Sequence, residues 1–92
     1  MTPEGKVAAY LKKRVKEIGG ICRKISWEGR SDAPDYLVMC CGMSYFVEIK
    51  APGESPRLSQ VREFKRLRAY GGIQVFVVDS YAAVELMLRA FI

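Results

Sequence analysis

The sequence predicts an α/β fold in which helices flank a four-stranded mixed sheet, in the order α-β-β-β-α-β-α. Three observations carry that reading. Apolar residues recur at helical spacing in residues 2–18 and 58–70, short β-rich runs lie between and after them, and a glycine-centred turn joins two of those runs into a hairpin. With 92 residues, half of them hydrophobic, the chain is expected to form a single domain over residues 1–92 with a modest core.

Residues 2–18 read as the first helix. Thr2 suits the N-cap, Pro3 the first helical position and Gly19-Gly20 the stop. Val7, Leu11, Val15 and Ile18 make the stripe to be buried, and Glu4 lies on that stripe one turn earlier. An acid there either points inward or simply answers the macrodipole of the first turn. Lys6, Lys12, Lys13, Arg14 and Lys16 cover the remaining surface, a basic face that suits phosphates or plain solvent. Residues 21–27 alternate, with Ile21, Arg23, Ile25 and Trp27 opposite Cys22, Lys24 and Ser26, as in a strand with one buried face. Residues 28–34 are polar and turn-rich, so they form a loop, and Pro34 holds its predecessor extended where the next strand begins.

The hairpin that follows is the chemical centre of the chain. Residues 36–40 and 45–49 are apolar runs on either side of Gly42. Side chains alternate along a strand, so Glu48 and Lys50 project from one face, and antiparallel pairing returns both to the neighbourhood of Asp35. Two carboxylates held together repel unless a cation lies between them, and their hard oxygens suit Mg2+ or Mn2+. A lysine alongside can hydrogen-bond an attacking water or stabilise charge developing on a phosphate. Together the three residues form a minimal set for metal-assisted phosphodiester hydrolysis. An isolated Glu-x-Lys at a strand end is usually a solvated edge, so the surroundings must decide.

Residues 51–57 are too rich in Pro and Gly to continue the strand, and residues 58–70 read as a second helix ending at Gly71-Gly72. Val61, Phe64 and Leu67 are its expected inner face, with Gln60 at the edge of that face. Arg62, Lys65 and Arg66 lie outward, beside Arg57 in the preceding loop, and with Arg30 they are the candidate phosphate contacts. The same residues equally suit a solvated surface. Residues 73–78 form a nearly continuous apolar run, read as a buried strand near the sheet centre. Asp79 or Ser80 can cap a last helix running to Ile92, apolar nearly all round except for Glu85 and Arg89. Such a helix fits either an oligomer interface or packing entirely within one copy.

Whole-chain properties narrow the function classes. Lys and Arg number 15 against 10 Asp and Glu, giving a net charge of +5 that favours a polyanionic partner. The chain has no histidine, which removes His-based general bases, His-metal motifs and Ser-His or Cys-His nucleophile pairs. Hydrolysis must then rest on carboxylates, Lys, Tyr and activated water. Cys22, Cys40 and Cys41 have no C-x-x-C spacing, and adjacent cysteines on a strand face opposite sides, so reduced packing thiols are expected. With no signal peptide after Met1 and no membrane-spanning run, a cytoplasmic protein with no membrane partner is the default.

Pro34-Asp35, followed after residues 36–47 by Glu48-Ile49-Lys50 within this element order, resembles the PD-(D/E)xK nuclease superfamily. More closely, Ala33-Pro34-Asp35-Tyr36, Phe46-Val47-Glu48-Ile49-Lys50-Ala51-Pro52-Gly53 and Leu58-Ser59-Gln60 look like the virus-type replication-repair nuclease (VRR-NUC) family, over almost the whole chain. The resemblance implies a restriction-endonuclease-like αβββαβα sandwich and a divalent-metal-dependent DNA endonuclease leaving 5′-phosphate and 3′-hydroxyl ends. It makes Asp35 and Glu48 the metal-binding carboxylates, with the Ile49 carbonyl as a further ligand, and Lys50 the water-positioning lysine. Glu4 would be the first-helix acid beside the metal, and Gln60 the helix glutamine beside the site. Stand-alone phage and bacterial members are similar in size and act as homodimers, some on four-way (Holliday) junctions. A basic binding module that keeps the fold without catalysis, or an RNA-directed nuclease, are the alternative readings.

Overall fold

A computed structural model describes residues 1–91, and Ile92, expected at the end of the last helix, lies outside them. The elements follow the expected order: α1 (Pro3–Glu17), β1 (Ile21–Lys24), β2 (Tyr36–Cys40), β3 (Met43–Ile49), α2 (Leu58–Gly71), β4 (Val75–Val78), α3 (Tyr81–Leu88) and a terminal 3₁₀ turn (Arg89–Phe91). The four strands form one sheet in the order β1-β2-β3-β4, antiparallel for the first two pairings and parallel for β3 with β4. This is the predicted mixed α/β sandwich.

Helix α1 starts as its sequence requires, with the Thr2 hydroxyl accepting the Gly5 N–H at 3.0 Å and Pro3 in the first turn. It buries Val7, Leu11 and Val15 against the face of the sheet that carries Tyr36, Val38, Cys40, Val47, Ile49 and Val78. Gly20 lets the end of this helix approach β2 closely, because a Cβ there would lie 2.9 Å from the Met39 carbonyl oxygen. Helix α3 packs on the same face through Val84, Met87 and Leu88, its N-terminus capped by the Ser80 hydroxyl, which accepts the Ala83 N–H at 3.1 Å. Much of its apolar surface is therefore covered within one copy, with Leu86 (65% exposed) and Tyr81 (48%) the large exceptions.

Four expectations are revised. Strand β1 ends at Lys24 rather than Trp27: it is an edge strand, and past Lys24 the Ile25 N–H still reaches the Asp35 carbonyl at 2.8 Å before the chain turns away. Its buried face is the Cys22 side, since Ile21 is half exposed and Cys22 packs on the core. Strand β4 lies at the opposite edge and not at the centre; its apolar run reflects α3 against one face and α2 toward the other. Cys41 is not on a strand, because Cys41 and Gly42 form a two-residue hairpin turn, both at positive φ (58° and 77°). Its exposed sulfur consequently lies 3.0 Å from that of buried Cys40.

The second helix is turned relative to its predicted phase. Val61, assigned to its inner face, is 47% exposed, and the residues it buries are Gln60, Glu63 and Phe64. Two polar side chains thus face inward where an apolar stripe was expected. Each has a partner that only the folded chain supplies.

Candidate active site

The β2–β3 register brings the charged ends of the hairpin together. Tyr36 pairs with Val47, so one step further Asp35 stands opposite Glu48. Glu48 is 3% exposed. Its Oε2 accepts a hydrogen bond from Gln60 Nε2 at 3.0 Å and lies 3.3 Å from Lys50 Nζ, whereas Oε1 is buried with no hydrogen-bond partner. Burial pushes the Glu48 carboxyl above its ordinary value and the nearby Asp35 charge adds to the effect, against the opposing pull of Lys50 and Gln60.

Secondary structure fixes each of these groups. The Lys50 backbone N–H donates to the Val78 carbonyl at 2.9 Å, extending the parallel β3–β4 pairing by one residue. Beyond it, the Gly53 N–H donates to Asp79 Oδ2 at 3.2 Å and ties the Pro-Gly loop to the end of β4. Gln60 occupies the third position of α2, where its Oε1 accepts the Arg57 N–H at 3.0 Å while its Nε2 holds Glu48. The helix start and the carboxylate are joined through one side chain.

On the α1 side of the same sheet end lies a hollow of about 230 Å³ whose lining includes Glu4, Lys24, Asp35 and Ile49. Asp35 belongs to both halves, since it lines this hollow and also acts on Glu48. Glu4 shares the hollow but is solvent-exposed rather than directed into the core. Among the described residues no three His, Cys, Asp or Glu side chains gather closely enough to hold a metal. The Asp35–Glu48 pair itself fits a divalent cation. A buried carboxylate oxygen without a donor, in a group whose charge is opposed by burial and by a second carboxylate, is an arrangement that a cation would complete.

The five predicted basic contacts separate into two groups. Arg30 and Arg66 converge on buried Glu63, at 2.7 and 2.8 Å, and Arg30 also pairs with Asp32 at 3.2 Å. Arg57 donates to the Ser31 carbonyl at 3.1 Å. These contacts pin residues 30–32 of the loop to α2 and its N-terminal flank. Arg62 and Lys65 are exposed and carry no ion pair among the described residues. Glu63 was missed by sequence reasoning because its partner Arg30 is distant in the chain; the available signal was an acid at helical spacing from Gln60 and Phe64. Lys24, which lines the hollow with Asp35, carries no sequence signal beyond strand alternation.

No family model matches the chain. It is 46% identical over 78 residues, 84% of its own length and 83% of the relative's, to "Putative nuclease p44" of Acyrthosiphon pisum secondary endosymbiont phage 1. A solved structure described as a VRR_NUC domain superposes with a TM-score of 0.89 at 41% identity, covering 100% of both chains. At that identity and coverage, with the sheet order and hairpin already described, the chain is a nuclease domain belonging to the virus-type replication-repair nuclease (VRR-NUC) family.

Proposed function

We propose that this protein is a divalent-metal-dependent DNA endonuclease, using Mg2+ or Mn2+, that hydrolyses phosphodiester bonds of branched DNA such as four-way junctions and works as a homodimer inside the cell. The observation that carries the reading is the unpartnered, buried Oε1 of Glu48 in a carboxylate opposite Asp35. Asp35 and Glu48, with the Ile49 carbonyl, would hold the cation. A bound divalent cation supplies Lewis-acid polarisation of the phosphate and a lowered pKa for coordinated water.

The remaining work falls to the chain's own residues. Lys50 keeps its ammonium at the site through Glu48, 3.3 Å away, where it can hydrogen-bond the incoming water or stabilise charge gathering on the phosphate. Gln60 fixes the orientation of Glu48 and is a positioning residue. Glu4, at the mouth of the hollow, adds negative charge near the same end of the sheet. Arg62 and Lys65, with Arg57 at the helix start, offer positive charge to the DNA backbone; Arg30 and Arg66 contribute theirs only in part, being engaged by Glu63. Exposed Leu86, beside the unpaired edge of β4, supports a second copy, and two copies would present two sites to the symmetric arms of a junction.

The test is a cleavage panel of single-stranded, duplex, flap and four-way-junction DNA, with a matched RNA duplex, in Mg2+ or Mn2+. Cutting should favour the junction, vanish with EDTA and fall about 1,000-fold or more in Asp35→Ala, Glu48→Ala and Lys50→Ala. Junction binding by those variants should stay within about threefold of wild type, because they leave the outward basic residues intact. Undiminished cutting by Glu48→Ala would refute the assignment.

A further inference from the structure

Beside the candidate site lies a surface that the cleavage chemistry does not use. Tyr10 of α1 and Tyr81 of α3 stack with ring centroids 4.3 Å apart and planes 15° from parallel. Tyr10 is fixed, since its hydroxyl donates to Glu85 Oε2 at 2.7 Å and Arg14 Nε holds the same oxygen at 2.7 Å. Tyr81 has no hydroxyl partner among the described residues and remains 48% exposed. Two open hollows of about 250 and 410 Å³ meet along it, both lined by Lys6 and Tyr81, and no carboxylate lines either.

Its lining adjoins site residues along the chain. The smaller hollow includes Pro3, one residue before Glu4, and Pro52, two residues beyond Lys50; the larger reaches Lys13. Lys6 and Lys13 are exposed and carry no ion pair among the described residues. An accessible aromatic ring backed by a second ring and flanked by two free ammonium groups matches the chemistry of a nucleotide. The ring receives a base, and the ammonium groups meet its phosphates. Continuous duplex hides its base faces in its own stack, so only a base outside that stack, in a single strand or at a branch point, can use such a ring.

We infer that Tyr81, supported by Tyr10 and flanked by Lys6 and Lys13, stacks a base that has left the continuous stack of the DNA entering the site, in a single strand or at a branch point, and so favours such DNA over continuous duplex. The inference rests on the DNA reading above but not on cleavage. Its test therefore measures binding in EDTA, where failure of the chemistry and failure of the stacking are separate results.

The probes are a single-stranded oligonucleotide and its duplex, each with 2-aminopurine at one position, followed by anisotropy and fluorescence. Wild type should quench 2-aminopurine in the single strand and not in the duplex. Tyr81→Leu should weaken single-strand binding by about 5- to 100-fold, change duplex binding by less than about twofold and abolish the quenching, while Tyr81→Phe behaves as wild type. Lys6→Gln with Lys13→Gln should reduce the salt slope for the single strand by about 1.4. Absence of quenching by wild type overturns the proposal, even if Tyr81→Leu fails to fold. Equal losses on both DNAs, or a Tyr81→Leu chain that binds single strand normally, also overturn it. A switch from dimer to monomer in Tyr81→Leu, read by sedimentation, would mark the surface as a protein interface and overturn it too.

Discussion

Glu85 and Glu48 each tie a helix to another part of the domain, but their surroundings treat the charge in opposite ways. Glu85 accepts hydrogen bonds from Tyr10 and, through both of its oxygens, from Arg14, and the Arg14 guanidinium followed by the Tyr10 hydroxyl lowers its carboxyl to about 2. Glu48 meets an amide and an ammonium at one oxygen, nothing at the other, and a second carboxylate opposite, and its carboxyl is raised. Glu63 resembles Glu85, with two guanidinium groups on its Oε1. Acids answered by guanidinium groups hold elements together. The incompletely answered one sits where the hairpin ends and the family's chemistry is expected, at a cost to the free protein that a cation would relieve.

The largest effects should come from removing the charge at Glu48. Glu48→Gln keeps the shape and the bond to Gln60 but ends the repulsion with Asp35, so we expect cleavage to fall about 1,000-fold and Tm to rise by about 4 °C, roughly 1 kcal/mol for a domain of this size. The raised folded value also fixes the pH dependence. Between the ordinary value of 4.5 and the higher folded value, the unfolded chain gives up its proton first, so wild-type stability relative to Glu48→Gln falls as pH rises and then levels off. Thermal melts of both proteins across that range, without added metal, check the sign; a variant less stable than wild type at neutral pH would show that Glu48 is a structural acid.

Glu63→Ala should give the reverse outcome. It releases Arg30 and Arg66 and should cost about 1–2 kcal/mol in denaturant melts, while cleavage changes by less than about threefold. Smaller still is the effect of Glu85→Gln, because the pair is partly solvated. Its signature is in pH: the folded carboxyl is depressed, so the stabilisation is complete above 4.5 and disappears as pH falls toward about 2. Melting curves of the variant and wild type should differ at pH 7 and converge at the acid end.

Much of this was legible in the chain because the rules involved are local. The alternation of residues 45–49 and the turn at Gly42 are enough to return Glu48 and Lys50 to Asp35, and Thr2-Pro3 and Gly71-Gly72 mark helix ends wherever they occur. The rest depends on partners far away in sequence. Val61 is displaced from the inner face of α2 because Gln60 and Glu63 find Glu48 and Arg30 there, which helical periodicity cannot reveal. β1 stops early for want of a second neighbour, and the apolar run of β4 reads the same at an edge as at the centre when helices lie on both faces. Glu4 sits on the apolar stripe by spacing, but in the first turn of α1 it is exposed and lines the hollow.

The amide of Gln60 has no freedom to flip: its oxygen is committed to the Arg57 N–H and its nitrogen to the Glu48 carboxylate. A glutamate of the same shape would satisfy the first obligation and violate the second, setting anion against anion in a dry enclosure. A rotation of α2, whether caused by substrate or by a neighbouring copy, therefore acts through this amide on the carboxylate proposed above to hold the cation.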